Sequence, residues 1–178
     1  MTVPSKFYCC VAACFLASAF PSRAQGLALE SAGARLGFEA NSSQEFHQAE
    51  GFADWNLPWA WELGPHWRVQ TGLDASLGWI GDSSRHAAIA TAGPLLALRY
   101  KGFPLFLEGG SSPTVLTRSG FEHKDFGIPF QFTSYIGVGL NITRHWRVAY
   151  RFQHMSNAGL ASSNPGLNLH VFAVSYRF

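Results

Sequence analysis

The sequence predicts an all-β protein, an eight-stranded antiparallel transmembrane β-barrel of the bacterial outer membrane. Apolar residues alternate with small or polar ones over long segments such as 67–79 and 130–142, and each is long enough for a strand to cross a bilayer obliquely. Charged residues make up only 13% of the chain, whereas aromatic residues reach 15%. No segment after residue 24 has the roughly 18 apolar residues expected of a membrane helix. A closed barrel with an apolar outer surface accounts for all three observations.

The N-terminus reads as a secretory signal peptide covering residues 1–24, followed by a single barrel domain at 25–178. Lys6 precedes an apolar run from Phe7 to Phe20, and Ser22-Arg23-Ala24 provides small residues at a cleavage site. The run is too short for a spanning helix. We therefore expect an exported protein.

Cysteine and charge usage follow from that cleavage. Cys9, Cys10 and Cys14 all lie in the signal peptide, so the barrel domain contains no thiol. Cys14 follows Val-Ala-Ala, which resembles a lipoprotein signal and leaves that processing route as the less favoured alternative. Cleavage also removes Lys6 and Arg23, which leaves 11 basic and 11 acidic residues. A neutral chain without a basic stripe does not favour a nucleic-acid partner.

Eight segments carry the alternating pattern of a strand. The predicted strands are 29–39, 47–62, 66–80, 87–100, 104–117, 129–142, 145–156 and 168–178. Pro94 lies inside the fourth of these and predicts a local distortion, because proline cannot donate a ladder hydrogen bond.

The connections between these strands alternate in length. Short turns and longer loops on opposite sides are typical of outer-membrane barrels, in which the short turns face the periplasm. The short connections are 63–65, 101–103 and 143–144, and the longer ones are 40–46, 81–86, 118–128 and 157–167. Eight strands threaded in this way bring both ends of the domain to the periplasmic side.

Aromatic residues support the same threading. Trp67 and Trp146 each follow a short turn in two copies of His-Trp-Arg-Val, and we expect them in the periplasmic aromatic girdle. The last strand alternates and closes on Phe178, which resembles the C-terminal signal of outer-membrane proteins. We therefore expect the outer-membrane assembly machinery as a partner.

The barrel interior is predicted to be filled by ion pairs, because side chains occupy the lumen of a barrel of this size. The carboxylates expected there are Glu39, Glu62, Asp74 and Glu108, and the expected arginines are Arg35, Arg68, Arg99, Arg147, Arg151 and Arg177. This arrangement predicts a plug rather than a channel.

A potential nucleophile and base lie together near the end of the seventh strand. In segment 146–156 the even positions are Trp, Val, Tyr, Phe, His and Ser, so His154 and Ser156 share the apolar, lipid-facing side. The threading places them at the outer rim, facing the lipopolysaccharide leaflet. Serine needs an adjacent base to act as a nucleophile. From spacing alone, a polar pair that merely meets lipid headgroups is the favoured interpretation, because such residues cost little near the interface.

The wider motif reverses that preference. His154-Met155-Ser156-Asn157-Ala158-Gly159-Leu160, followed by Asn164-Pro165-Gly166-Leu167-Asn168, resembles the active-site region of the lipid A 3-O-deacylases (PagL type), which are eight-stranded outer-membrane barrels. The resemblance implies hydrolysis of the acyl ester at position 3 of lipid A, with no metal or cofactor. It implies Ser156 as nucleophile and His154 as general base. It also implies that the Asn157 side chain and the Gly159 N–H stabilise the oxyanion.

One position departs from the family pattern. The family has a Glu twelve residues after the serine, and this chain has Asn168 there. Parity still places Asn168 beside the seventh strand, where its carbonyl oxygen can orient an imidazole but supplies no charge. Asp125 and Glu122, in the preceding long loop, are the nearest carboxylates that could assist.

The expected partner is lipopolysaccharide in the outer leaflet, and a homodimer is compatible with the sequence. The remaining histidines are scattered and show no zinc-binding spacing. Three other functions stay open: a small lumenal channel, which is the least favoured, a catalytically weak or inactive barrel with a structural or adhesive role, and a palmitoyltransferase barrel. The latter class needs an amphipathic N-terminal helix, which residues 25–34 do not resemble.

Overall fold

The computed structural model describes residues 27–41 and 46–178, and the predicted signal peptide lies outside them. These residues form eight strands, and the ends of every predicted strand are confirmed to within one residue. The strands are β1 (Ala28–Glu39), β2 (His47–Leu63), β3 (Trp67–Gly81), β4 (His86–Tyr100), β5 (Leu105–Leu116), β6 (Phe130–Asn141), β7 (Trp146–Ser156) and β8 (Leu167–Arg177). No helix in the described residues is long and apolar enough to cross a membrane.

The sheet is a closed antiparallel barrel in which each strand pairs with its neighbours in sequence and β8 pairs with β1. Arg35 of β1, for example, lies opposite Glu50 of β2 and Ala173 of β8. Closure leaves no unpaired sheet edge. We call the end with turns 64–66, 101–104 and 142–145 the short-turn end, and the opposite end the long-loop end.

Prolines interrupt the ladder at two places, of which the sequence predicted the one at Pro94. The pairing of β4 with β5 breaks between Thr91 and Leu95, the stretch that contains Pro94, and β3 pairs with β4 without a break. A second irregularity separates Asn56 and Ala60 of β2, around Pro58. Both follow from the missing backbone N–H of proline.

The outer surface is apolar, as the alternation predicts. Leu77, Trp79 and Ile136 are each about two-thirds exposed, at 68%, 66% and 68%. Trp67 and Trp146 lie at the short-turn end, where each packs edge-on against a tyrosine of the next strand, with ring centroids 5.0 and 5.7 Å apart. These exposed rings form an aromatic rim at that end.

The interior is filled by ion pairs, though not all the predicted partners meet. Arg35 and Arg151 both contact Asp74 in mid-barrel, and both are buried. The remaining pairs are Arg35–Glu50, Arg151–Glu108, Arg68–Glu62, and Glu30 with Arg99, Arg147 and Arg177. Glu39 was expected to pair with an arginine, but it pairs with Lys124 of the long loop after β5. That loop folds back over the barrel mouth, which parity could not reveal.

An apolar cluster closes the long-loop end. Phe46, Phe121 and Phe126 pack edge-on with centroids 5.2 to 6.0 Å apart. They join buried side chains from five strands, namely Ile80, Ala87, Ile89, Leu116, Met155, Leu167, Leu169 and Val171. Loops 117–129 and 157–166 rest on this cluster, which therefore supports the backbone around Ser156 from the inside.

Candidate active site

The upper end of β7 has the predicted parity. Gln153 and Met155 are buried in the barrel, whereas His154 is exposed on the outer surface and Ser156 is half-exposed. The side chains of His154 and Ser156 therefore face the outer surface of the barrel.

Asn168 lies directly opposite His154 in the β7–β8 ladder. Its Oδ1 is 2.7 Å from Nδ1 of the imidazole. Because an amide oxygen can only accept, Nδ1 must carry the proton, and Nε2 of the neutral ring is left with its lone pair. This is the tautomer that a general base for serine requires.

His154 and Ser156 are two residues apart on the same face, but no hydrogen bond joins them in the described part of the chain. The imidazole has no other hydrogen bond there. Catalytic hydrogen bonds are often long before substrate binds and tighten in the complex. Within the described residues, Nε2 of the imidazole therefore makes no hydrogen bond and lies on the same strand face as Ser156.

The backbone after Ser156 is held in an unusual conformation. Ala158 has φ of 54° and Gly159 has φ of 83°. A left-handed alanine costs roughly 1–2 kcal/mol, and the cost is offset by Asn157, whose Oδ1 accepts the Gly159 N–H at 2.9 Å. Strain of this kind, next to a candidate nucleophile, is typical of a functional site.

The two predicted oxyanion donors are engaged elsewhere, which differs from the sequence expectation. Asn157 is fully buried, and its Nδ2 donates to the carbonyls of Phe126 and Ser163 at 2.9 and 2.7 Å. The Gly159 N–H is taken by Asn157 itself. The odd parity that hides Met155 also turns Asn157 inward, so this amide ties the two loops together and does not face the ester side.

Two free donors next to Ser156 were not singled out by the sequence. Asn164 accepts the Asn157 N–H through Oδ1 at 3.1 Å, and within the described residues its Nδ2 makes no hydrogen bond. The Ala158 N–H is likewise unpaired there. Asn164 belongs to the Asn-Pro-Gly part of the motif, and only the folded loop shows that its side chain bonds to the backbone directly after Ser156.

Glu122 and Asp125, the carboxylates nearest to the site in the sequence, have other hydrogen-bond partners. Glu122 accepts a hydrogen bond from Ser84, and Asp125 caps the Gly127 N–H at 2.9 Å. Within the described residues neither carboxylate hydrogen-bonds to His154, whose imidazole bonds to Asn168. Among the described residues, no group of three or more His, Cys, Asp or Glu side chains could hold a metal ion.

Comparisons with known proteins bear on the family and on the fold. The family model described as "Lipid A 3-O-deacylase (PagL)" matches residues 47–177. The "Lipid A deacylase PagL" of Bordetella bronchiseptica (strain ATCC BAA-588 / NCTC 13252 / RB50) is 33% identical over 126 residues, which cover 67% of this chain and 70% of that protein. The crystal structure of the outer membrane enzyme PagL superposes with a TM-score of 0.70 at 20% identity, over 82% of this chain and 97% of that one.

The chain belongs to the lipid A 3-O-deacylase (PagL) family. It is an ester hydrolase with the fold of an outer-membrane β-barrel. The family and the eight-stranded architecture predicted from the sequence are both confirmed.

A polar row crosses the outer surface of the deacylase at the level of His154. The ladder sets Ser111 of β5 opposite Ser134 of β6, Ser134 opposite His154, and His154 opposite Asn168. The two serine hydroxyls are 2.8 Å apart. Four neighbouring strands thus present polar groups at one depth on a surface that is otherwise apolar.

Below this row, towards the short-turn end, the outer surface forms an apolar cavity of about 570 Å³. Its lining includes Leu36, Phe38, Val138, Tyr150 and Phe172. Tyr150 lies six residues from Ser156 along β7, about 20 Å at a rise of ~3.3 Å per residue. The cavity therefore lies on the same face as the polar row and deeper in the apolar zone.

Proposed function

We propose that this deacylase hydrolyses the acyl ester at position 3 of lipid A with Ser156 as nucleophile, His154 as general base and Asn168 as the orienting residue. The observation that carries the proposal is the 2.7 Å contact between His154 Nδ1 and Asn168 Oδ1, which leaves Nε2 unprotonated on the strand face that His154 shares with Ser156. The polar row lies at the outer rim, where the ester of a lipid in the outer leaflet would lie.

The reaction follows the usual course of acyl transfer. Ser156 Oγ bonds to the ester carbonyl carbon while its proton passes to His154 Nε2. The bond from the acyl carbon to the sugar oxygen then breaks, and His154 returns the proton to that oxygen. Water, deprotonated by His154, attacks the acyl-serine and releases the fatty acid, which restores Ser156.

The charge on the carbonyl oxygen needs donors close to Ser156. Asn157 and Gly159 are engaged with each other, so we assign this role to the Ala158 N–H and Asn164 Nδ2. Asn157 then acts by holding both of them, since its backbone N–H binds Asn164 and its side chain fixes the turn at Ala158.

The apolar cavity supports lipid as substrate. A chain that leaves the ester towards the membrane interior would cover its lining, and burying apolar surface contributes roughly 25 cal/mol per Å². The hydroxyl of Ser134, opposite His154, and that of Ser111 on the next strand offer partners for polar atoms near the ester. We also propose that residues 1–24 are removed as a signal peptide, which would deliver the barrel for export.

The proposal is tested on the purified, folded protein incubated with lipopolysaccharide in detergent. Mass spectrometry of lipid A should show the loss of one hydroxyacyl chain, and Ser156→Ala should abolish that loss. Ser162→Ala is the matched control, because Ser162 is exposed in the same loop and makes no side-chain hydrogen bond within the described residues. Retained activity in folded Ser156→Ala, or no deacylation by the folded wild type, would overturn the proposal.

A further inference from the structure

A buried ion pair lies behind the candidate catalytic residues, on the inner side of the wall. Lys124 Nζ is 3.1 Å from Glu39 Oε1, and the two side chains are 11% and 5% exposed. The second carboxylate oxygen of Glu39 accepts the Phe46 N–H at 3.2 Å. This pair fastens loop 117–129 to the end of β1.

Lys124 also reaches the loop that carries the site. Its ammonium donates to the carbonyl of Gly166 at 3.1 Å. Loop 117–129 makes two further hydrogen bonds with the same loop in the described part of the chain, from Ser163 Oγ to the Asp125 carbonyl at 2.6 Å and from Asn157 Nδ2 to the Phe126 carbonyl. Of these three hydrogen bonds, the one from Lys124 lies at the β8 end of loop 157–166, where the chain turns back towards Asn168.

Gly166 is in direct contact with the base. Its φ is +65°, and a Cβ placed there would lie 3.0 Å from His154 Cε1. The imidazole therefore rests against the Gly166 backbone on one side and bonds to Asn168, two residues later, on the other. A shift of the Gly166 carbonyl would move both the support of the ring and its hydrogen-bond acceptor.

We propose that the Lys124–Glu39 pair is a positioning element for His154, acting through the Gly166 carbonyl. Asn168 gives the imidazole a neutral acceptor and no charge attraction, so the ring orientation depends on where the backbone places that acceptor. The carboxylate of Glu39 balances the ammonium, so the pair supplies geometry rather than net charge. The inference rests on the proposed roles of Ser156 and His154.

The test compares Lys124→Met with Lys124→Arg, and uses Lys101→Met as the matched control. Lys101 is exposed in a turn at the opposite end of the barrel. We expect Lys124→Met to lower kcat roughly 10- to 100-fold, the effect of displacing a catalytic group by about 1 Å, with KM unchanged. Lys124→Arg, which keeps charge and donors, should recover most of kcat, and Lys101→Met should match the wild type.

A second readout reports the ring directly. The ¹⁵N chemical shifts of the His154 ring in labelled protein give the population of the tautomer with its proton on Nδ1. Lys124→Met should lower that population. Unchanged kcat and unchanged shifts in folded Lys124→Met would overturn the inference. If that variant does not fold, Glu39→Gln replaces it: a neutral amide holds the ammonium less firmly, so kcat should fall, and an unchanged kcat is again the contrary result.

Ser156→Ala, measured in parallel, separates the two proposals. If it stays active, the proposed catalytic roles are wrong whatever Lys124 does. If it is inactive while Lys124→Met behaves as wild type, only the positioning role is wrong.

Discussion

The two ends of the β7–β8 pair carry the same kind of residue in different surroundings. At the short-turn end, the His145 ring stacks on Tyr176 with centroids 5.1 Å apart. Its Nδ1 bonds to the Arg177 carbonyl at 3.1 Å and its Nε2 accepts from Arg144 at 2.8 Å. At the long-loop end, Nδ1 of His154 bonds to Asn168, and Nε2 has no hydrogen bond within the described residues.

The difference shows what separates an anchoring histidine from a candidate base. Both nitrogens of His145 are occupied, so the ring has no lone pair to offer. His154 keeps one lone pair, has a serine as its neighbour on the same face, and is followed by a strained backbone at Ala158. An unoccupied ring nitrogen, rather than exposure, therefore indicates which surface histidine of a barrel can act as a general base.

The largest expected effect comes from removing each histidine in turn. His154→Ala should reduce deacylation by about 10³-fold or more, as loss of a triad base does, because Ser156 loses its proton acceptor. His145→Ala should leave the rate unchanged. Release of hydroxy fatty acid from lipopolysaccharide measures both, and equal losses in the two variants would erase the proposed distinction.

Asn157→Ala should have the next largest effect, because it removes the partners of the Ser163 carbonyl and the Gly159 N–H, and one of the donors to the Phe126 carbonyl. Each unsatisfied buried group costs about 1–3 kcal/mol, so we expect a lower unfolding temperature and reduced activity. Asn141→Ala is the control at the short-turn end, where the amide makes two hydrogen bonds of 3.2 Å. A larger activity loss in Asn141→Ala would contradict the assignment of Asn157 as support for the site.

Restoring a carboxylate tests the neutral acceptor. Asn168→Glu is expected to give equal or higher kcat, because a carboxylate both orients the ring and stabilises the imidazolium. The assay is the same lipid A mass measurement, followed over time. A fall in kcat would mean that the site is adjusted to an asparagine, with the backbone at Gly166 placed for the shorter side chain.

The smallest expected effect is a loss of local stability at the long-loop end when the pH is lowered. Burial raises the pKa of Asp82, but the backbone N–H groups of Glu122, Arg85 and Ser84 donate to its carboxylate, and the pKa lies below its ordinary value of 3.8. The stabilisation is therefore complete above that value and is lost as the pH falls through the lower, folded-state pKa. Hydrogen exchange at the Glu122 amide should rise there, and Asp82→Asn should remove the pH dependence. A parallel rise at the short-turn end would indicate general unfolding instead.

Much of this protein could be predicted from local pattern. The alternation defined all eight strands, because residues two apart share a face of a strand. Inward-facing and outward-facing residues alternate along every strand of a barrel, so the apolar positions mark the outer face. The same parity placed His154 and Ser156 on the outer surface, and it brought Asn168 beside them because adjacent antiparallel strands joined by one loop share a register.

Contacts between loops could not be predicted in this way. No period governs residues 117–129 or 157–166, so nothing in the sequence indicated that Asn157 would bond to the Phe126 carbonyl or that Lys124 would reach Gly166. For this reason the sequence did not show that the two expected oxyanion donors are occupied. Asn157 Nδ2 donates to the Phe126 and Ser163 carbonyls, and the Gly159 N–H donates to Asn157 Oδ1.

The sequence by itself determined the barrel and the face on which His154 and Ser156 lie, since both depend on a repeat of two along the chain. The motif at residues 154–168 predicted the family. The tertiary structure alone decided which hydrogen-bond donors remain free near Ser156, and how the His154 ring is supported. Those outcomes depend on distances between segments that are far apart in sequence, such as Glu39, Lys124 and Gly166, and the closure of the barrel mouth sets those distances.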